Sequence, residues 1–373
     1  MNQLFKEFKS VSKEKWLAKV EKDLKGKPID AFNWEPIKGI PLTPFAHGDD
    51  SQKEYIPLIG KQQTNSWEIG VKVKVSQIKL ANQEALSALE NGATAICFDL
   101  YKGPTKEELR SLLNGIQLKW ISIHFNFNQQ AWKRFIGYFT EYLSAQKYDA
   151  HKVACSFTFK GVPVIDSEDI VILADYKKVV PPARFLTINA LPNYTGLSGS
   201  ITEIAQLIQA GNEQLIVLNK AGLALKEFQS IIQFAITLGD SYFLNIAKIR
   251  AIKILWQQVL QAWDKNLTAK AIIEVHLSKT TQSEDEHYNK IRATAQAMAA
   301  VIGGAKRLYI HPSDAFKNGE GSPFEQRIAM NIQQLLQLES YMDRVIDPSA
   351  GSYYVEQLTD QVAEMAWKKF QES

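Results

Sequence analysis

The sequence has little cysteine, the residue that would indicate disulfides or a structural zinc site. Only Cys97 and Cys155 occur among its 373 residues. Two cysteines cannot form a disulfide framework, and there is no Cys-x-x-Cys or Cys/His spacing typical of zinc sites. The chain is therefore neither a disulfide-stapled domain nor a zinc-dependent fold.

The sequence also lacks an excess of charge and a long apolar run. Lys plus Arg number 43 and Asp plus Glu 40, for a formal net charge of +3. This balance argues against a nucleic-acid partner, which normally needs a clustered basic surface. No apolar run reaches membrane-spanning length, and the amino terminus has no apolar signal-peptide core. We expect a cytoplasmic protein with neither nucleic acid nor membrane as a partner.

Short apolar runs, by contrast, alternate regularly with longer amphipathic ones. The alternating run at 67–75 is typical of an edge strand. Eight further runs are β-rich and nearly continuously apolar, like parallel strands covered on both faces. They are 93–100, 118–125, 151–159, 183–190, 213–218, 230–238, 270–277 and 306–312. Eight strands with helices between most of them predict an α/β fold, a (β/α)8 TIM barrel, with a doubly wound sheet as the alternative.

Residues 1–66 differ from the rest of the chain. A helix is predicted from Ser12 to Leu24, ended by the glycine and proline that follow. Repeated prolines and glycines as far as Pro57 break regular structure, so we expect an extended arm that packs on another surface. The predicted organisation is an N-terminal helix and arm over 1–66 and a barrel domain over 67–373.

Chemistry in such a barrel takes place at the carboxyl-terminal ends of the strands. Most of the predicted ends carry polar residues: Asp99, Tyr101, His124, Asn126, Thr158, Lys160, Asn189, Asn219, Thr237, His276, Ser278, Lys279, His311, Ser313 and Asp314. They form no recognisable catalytic set. His276 can donate to a carbonyl or act as an acid or base, and it can equally bond a neighbouring loop.

Several longer segments resemble one family. Asp347–Asp360, DPSAGSYYVEQLTD, closely resembles a signature of the methylmalonyl-CoA mutase family. Three other segments resemble its FFxEIAKxRAARxLW, NxxRTT…AAVxGG and RIARNxQxLLxxES runs, and two resemble its N-terminal arm. They are Asp240–Trp256, Asn289–Gly304, Arg327–Ser340, Trp16–Gly26 and Trp34–Pro44. The resemblance covers nearly the whole chain in register, and it implies the family's substrate-domain (β/α)8 barrel.

The resemblance also implies a reaction, the radical rearrangement of (R)-methylmalonyl-CoA to succinyl-CoA. The family's adenosylcobalamin sits in a C-terminal flavodoxin-like domain with a DxHxxG histidine. This sequence stops at Ser373, soon after the signature, so we expect a chain truncated before that domain. Asp149-Ala150-His151 resembles the start of DxHxxG, but position 154 is alanine and a predicted strand follows. We interpret the triplet as a polar loop and expect no cofactor bound to this chain.

Most residues that the resemblance would make catalytic are replaced. Catalytic members carry a YAGFS-like tyrosine where this chain has Ser66–Gly70. Their SISGYHxxEAGA histidine falls at Pro192, and their RLSFF arginine falls at or near Ile231. In the HTQTSG segment His276 is kept and the glutamine becomes Ser278. Without the tyrosine, histidine and arginine, the chain lacks the groups that would orient a radical substrate.

Large aromatic residues within the predicted strands also argue against a catalytic barrel. They are Phe98, Phe125, Phe157, Phe159 and Phe234. We expect some of them to point inward and fill the barrel, the ordinary state of this fold. Catalytic members of the family line the same space with small polar residues that admit coenzyme A.

We therefore predict the small, non-catalytic subunit of a heterodimeric methylmalonyl-CoA mutase, with a large catalytic subunit as its partner. Adenosylcobalamin belongs to the holoenzyme, and a homodimer is the assembly considered for the chain alone. We assign no catalytic or metal-binding residue, and name His276, Asn189 and Ser278 as vestigial substrate-binding positions. The alternative is a catalytically active acyl-CoA mutase subunit of altered specificity. An unrelated barrel lyase or aldolase would need Lys279 as a Schiff-base lysine.

Overall fold

The computed structural model of the chain describes residues 9, 11–50, 64–100, 102–127, 132–159, 167–267 and 270–372. The strands are β1 (Trp34–Ile37), β2 (Ile40–Leu42), β3 (Glu68–Val75), β4 (Ala95–Leu100), β5 (Ser122–Phe127), β6 (Cys155–Phe159), β7 (Leu186–Asn189), β8 (Ile232–Leu238), β9 (Ile273–Leu277) and β10 (Arg307–Tyr309). The helices are α1 (Lys13–Asp23), α2 (Ile78–Glu90), α3 (Lys106–Leu112), α4 (Trp132–Ala145), α5 (Ser167–Val179), α6 (Ser200–Lys220), α7 (Leu225–Phe228), α8 (Tyr242–Trp263), α9 (Glu286–Gly303), α10 (Ala315–Asn318), α11 (Pro323–Leu338) and α12 (Tyr353–Gln371).

Strands β3 to β10 form one parallel sheet that curls into a nearly closed barrel. Their order is β6-β5-β4-β3-β10-β9-β8-β7, so each strand lies beside its neighbour in the chain and β3 pairs with β10. The two outermost strands approach each other through a parallel bridge between Ser156 and Arg184. The Phe157 amide donates to the Arg184 carbonyl at 2.9 Å. The predicted TIM-barrel fold is confirmed.

Two predictions about individual strands are wrong. The run at 67–75 is no edge strand, because β3 lies between β10 and β4. The run at 213–218 is the last part of α6, where Leu215 and Leu218 are buried on one helical face. A short apolar run within a buried helix resembles a strand, because both are apolar over most of their length. Asn219 is consequently no strand end.

The strand phenylalanines point away from the barrel axis, so the expectation that they fill it is wrong. The Phe125 ring contacts Phe135 and Phe139 of α4, with centroids 4.8 and 5.4 Å away. Phe234 meets Trp256 of α8 at 5.0 Å. Phe98 and Phe157 are the register partners of Phe125 and share its outward face. The side chain of Phe159 lies outside the described residues.

Part of the N-terminal segment packs on the chain's own last helix. α1 begins at the Ser12 cap, as predicted, and buries no residue. β1 and β2 form an antiparallel hairpin whose Ile37, Ile40 and Leu42 join the hydrophobic core. The Trp34 indole donates to the Tyr354 hydroxyl at the start of α12, at 3.3 Å. The domain division at 66/67 remains a prediction, and residues 51–63 of the arm lie outside the described ones.

Candidate functional site

The residues that face the barrel axis form successive layers. Neighbouring strands of an eight-stranded barrel are staggered by about one residue, so alternate strands contribute side chains to the same layer. From the amino-terminal end the layers are Ala95, Ser156, Gln233 and Arg307; Gly70, His124, Thr187 and Glu274; Cys97, Thr158, Ala235 and Tyr309; Lys72, Asn126, Asn189 and His276. The first three layers are buried throughout, and the fourth forms the carboxyl-terminal mouth. The axis is polar, and bulky apolar residues do not fill it.

A charged network crosses the first layers. Arg307 donates from Nε to Glu68 Oε2 at 2.8 Å and from Nη1 to Glu274 Oε2 at 2.7 Å. Glu274 Oε1 in turn contacts His276 Nε2 at 2.7 Å. Burial acts to raise the pKa of Glu274, but the bond from His276 and the charge of Arg307 outweigh it and lower the pKa to about 2. Glu274 is therefore a carboxylate whose oxygens are both engaged.

His276, one of the three predicted site residues, is held on two sides. Its Nε2 bonds Glu274, and its ring stacks on Tyr309 with a centroid distance of 4.4 Å. Burial lowers the pKa of His276, so the imidazole is neutral at neutral pH. A neutral ring fixed in this way has one nitrogen left for any ligand.

The other two predicted residues serve local turns. Asn189 Oδ1 accepts from the Leu191 amide at 3.1 Å, and Ser278 Oγ accepts from the Thr280 amide at 3.2 Å. The barrel brings Asn189 into the same layer as His276, while Ser278 follows His276 by two residues at the start of a turn. No hydrogen bond between described residues joins Asn189 to either of the other two. Tyr101 and Lys160, also predicted at the mouth, lie outside the described residues.

Two of the replaced catalytic positions, Pro192 and Ile231, offer no side-chain donor. A Cβ at Gly70 would lie 2.6 Å from Tyr309 Cε1, so the Tyr309 ring occupies the space over this strand. Pro192 lies in the short turn Leu191–Asn193, and Ile231 is fully buried directly before β8. Neither proline nor isoleucine can donate a hydrogen bond from its side chain.

The Asp149-Ala150-His151 turn does not fit a cobalamin ligand. His151 is exposed in the turn Ala150–Lys152, where its amide donates to Asp149 Oδ1 at 3.2 Å. This turn precedes β6 and so lies at the amino-terminal end of the barrel, opposite the mouth. Within the described ranges, no group of three or more His, Cys, Asp or Glu residues could hold a metal ion.

The charged residues of the axis were not predicted. Glu68, Glu274, Arg307 and Tyr309 stand at alternate positions of otherwise apolar strands, as in the β9 sequence IEVHL. Alternation places such residues on one face of a strand. Reading each strand for the face opposite its phenylalanine or isoleucine would have identified them.

The segments that resemble the mutase family contact one another outside the axis. Arg250 of α8 donates from Nη1 to Asp347 and, at 3.2 Å, to Ser349 Oγ, while Nη2 contacts Glu356 Oε1 at 2.7 Å. Lys253 donates to the Gly303 and Gly304 carbonyls at the end of α9, at 2.7 and 2.8 Å. The DPSAGSYYVE signature therefore anchors α12 to α8.

Comparison with known proteins gives the family. The sequence profile described as methylmalonyl-CoA mutase matches residues 169–373. The chain belongs to the methylmalonyl-CoA mutase family. Its match to that profile includes the signature and the α8 and α9 segments that bind it.

Individual relatives in this family include proteins named as small subunits. The methylmalonyl-CoA mutase small subunit of Porphyromonas gingivalis is 31% identical, over 98% of this chain and 63% of that protein. A methylmalonyl-CoA mutase of Cereibacter sphaeroides is 25% identical, over 96% of this chain and 57% of that protein. A probable small subunit of Mycobacterium tuberculosis is 33% identical, over 56% of this chain and 35% of that protein. The chain spans less than two thirds of the length of each of these relatives.

One structural finding bears on location. Among the described residues, none of the helices combines the length and the apolar character needed to cross a membrane.

The histidines near the axis predict a loss of stability in mild acid. Burial, followed by the positive charge of Lys279, lowers the pKa of His311 to about 3, and burial also lowers the pKa of His124 and His276. Each histidine is neutral when folded and titrates near 6.5 when unfolded, so the unfolded state binds more protons as pH falls below 6.5. Stability is then full above about pH 6.5 and falls below it, and for His311 the slope approaches about 1.4 kcal/mol per pH unit.

Urea denaturation at several pH values between 7.5 and 5 measures this slope. His311→Gln should reduce it by about one histidine's contribution, about 1.4 kcal/mol per pH unit. His287→Gln, at an exposed position of α9, is the matched control. An equal slope in wild type and His311→Gln would contradict the prediction.

Proposed function

We propose that this chain is the barrel part of a small, non-catalytic subunit of methylmalonyl-CoA mutase. Its partner is a large catalytic subunit, where adenosylcobalamin and the conversion of methylmalonyl-CoA to succinyl-CoA belong. The observation that carries the proposal is the state of His276, the one retained catalytic position. Its ring is held between Glu274 and Tyr309, so its contacts are with other residues of the barrel axis.

The surroundings of His276 support the same proposal. Pro192 and Ile231 supply neither a carbonyl donor nor a cation for a substrate carboxylate. Arg307, a buried cation of the axis, is already paired with Glu68 and Glu274. Two of the relatives described above, from Porphyromonas gingivalis and Mycobacterium tuberculosis, carry the name small subunit.

An active acyl-CoA mutase subunit of altered specificity is the second candidate. The polar axis favours it, because phenylalanines do not fill the barrel as expected. His276 and Asn189 also share the mouth layer with Lys72, where a substrate would meet them together.

Turnover of the assembled enzyme separates the two candidates. With His276→Gln in this chain and a wild-type large subunit, we expect kcat and KM for methylmalonyl-CoA within twofold of wild type. Glutamine keeps a donor for Glu274, so the barrel stays folded. Asn189→Ala changes a second residue of the mouth layer and is tested in the same assay.

If His276→Gln loses kcat while still assembling with the large subunit, the non-catalytic proposal is wrong. Isothermal titration of the chain alone with an acyl-CoA ester provides a second measurement. We expect no binding, whereas a micromolar Kd, about 8 kcal/mol of binding free energy, would favour the active candidate.

Assembly is tested by the mass of the particle in solution. We propose a one-to-one complex when the large subunit is present and allow a homodimer for the chain alone. Light scattering after size exclusion gives both masses.

We also propose a cytoplasmic location for the protein.

A further inference from the structure

Five buried side-chain atoms facing the barrel axis have no hydrogen-bond partner among the described residues. They are Ser122 Oγ, Gln233 Oε1, His124 Nε2, Tyr309 Oη and Asn126 Oδ1. Four of these residues are less than a tenth exposed, and the oxygen of Asn126 is itself buried. Buried polar atoms in native proteins are almost always bonded, to protein or to ordered water.

These five atoms belong to consecutive levels of the barrel. Gln233, His124, Tyr309 and Asn126 fall in the four successive layers given above, and Ser122 precedes His124 on β5 at the amino-terminal end. Successive layers are about one residue, or about 3 Å, apart along a strand. That spacing is close to the distance between hydrogen-bonded oxygens, about 2.8 Å. The five residues therefore form a polar track with one member at each of five successive levels of the barrel.

Small side chains face the axis beside the track. TIM-barrel interiors are usually packed with bulky branched residues. Here Ala95, Cys97 and Ala235 face the axis instead, while the Tyr309 ring occupies the space over Gly70. Small polar spaces next to unsatisfied groups hold water, whereas apolar cavities of similar size stay dry.

The chemistry of the track indicates a neutral guest that both donates and accepts hydrogen bonds. The hydroxyls of Tyr309 and Ser122 can donate, while the amide oxygens of Gln233 and Asn126 accept. The carboxylates nearby are already paired, Glu68 with Arg307 and Lys306 and Glu274 with Arg307. A cation would therefore find no unpaired carboxylate among them.

We propose that a file of ordered water molecules occupies the barrel axis and hydrogen-bonds to Ser122, Gln233, His124, Tyr309 and Asn126. The file runs from the level of Glu68 to the mouth layer. It replaces the apolar side-chain layers that stabilise other barrels of this fold. The inference concerns how this barrel is filled and stands independently of the proposed function.

Tyr309→Phe tests the file with an almost isosteric change. Magnetic relaxation dispersion of water nuclei counts the long-lived internal waters of the full chain in solution. We expect Tyr309→Phe to lose at least one such water and to unfold at a lower temperature than wild type. Tyr148→Phe is the control, because that hydroxyl donates to the Ile116 carbonyl at 3.1 Å outside the axis. Tyr148→Phe should retain as many long-lived internal waters as the wild type.

Gln233→Met provides a second variant with the same expectation. An unchanged water count together with equal or higher stability in both variants would overturn the proposal, because the axis would then be dry. Mass spectrometry of the denatured wild-type chain is a further test of what occupies the axis. Release of a stoichiometric organic molecule would also overturn it, by showing that the guest is not water.

Discussion

Replacing Arg250 with methionine is expected to lower the free energy of unfolding by about 3–5 kcal/mol. The guanidinium lies fully buried between Asp347 and Glu356, with side-chain exposures of 2%, 3% and 7% for the three residues. Methionine removes the cation that Asp347 and Glu356 share in the interior, and breaking a buried ion pair costs far more than breaking an exposed one. Urea denaturation at pH 7.5 measures the change.

Two further variants distinguish lost charge balance from lost packing. Arg110→Met removes an exposed arginine of α3 and should change stability by less than about 0.5 kcal/mol. Adding Asp347→Asn and Glu356→Gln to Arg250→Met should recover much of the loss, since both carboxylates that lost Arg250 are then neutral. If the triple variant is no more stable than Arg250→Met, the loss comes from packing and the electrostatic account is wrong.

The Arg250 contacts explain why the family is recognisable in these segments. Arg250 and Asp347 are 97 residues apart in the chain, yet the α8 segment and the signature meet at a buried ion pair. Lys253 ties the same helix to the end of α9. These segments hold the outer helices together, so resemblance in them is informative about fold and says little about chemistry at the mouth.

Much of the barrel could be predicted because its strands are short, apolar and separated by helical patterns. The two errors have physical causes. Residues 213–218 resemble a strand because α6 is buried and therefore apolar on most sides. The polar and apolar residues of β3 alternate because its polar face points to the barrel axis, and not because β3 lies at an edge. Strand order was beyond the sequence, since it depends on pairings between distant residues such as Arg307 with Glu68.

The candidate site was predicted less well than the fold. His276 and Asn189 do share a layer, as the strand ends indicated. However, some of the strand phenylalanines were expected to point inward, and the charged residues on the axis were not predicted. Burial of a phenylalanine is compatible with either face of a strand covered on both sides, and apolarity alone cannot choose between them.

Arg307→Met is the second variant expected to have a large effect, about 3–5 kcal/mol lost at pH 7.5. It removes the cation that holds Glu68 and Glu274 in the buried axis. Arg307→Lys should rescue only in part, because a lysine ammonium is a single point of charge and cannot reproduce the planar fork that reaches both carboxylates. The measurement is again urea denaturation of the purified chain.

The dependence of this loss on pH identifies its electrostatic origin. In the wild type the pKa of Glu274 is lowered to about 2, so its stabilising effect is present above about pH 4.5 and disappears between pH 4.5 and 2. Without Arg307, we expect burial to outweigh the remaining bond from His276 and to raise the pKa of Glu274 above its usual range, so that the folded variant takes up a proton more readily than the unfolded one. The deficit of Arg307→Met relative to wild type should therefore shrink as pH falls from 7.5 to 5.

Arg307→Met combined with Glu274→Gln is the matched control, since it removes the carboxylate along with the cation. That double variant should recover part of the stability and show a deficit that varies less with pH between 7.5 and 5. A deficit in Arg307→Met that stays constant over the same range would mean that Glu274 remains ionised without Arg307. The bond from His276, and not the Arg307 charge, would then be what keeps this carboxylate in the barrel.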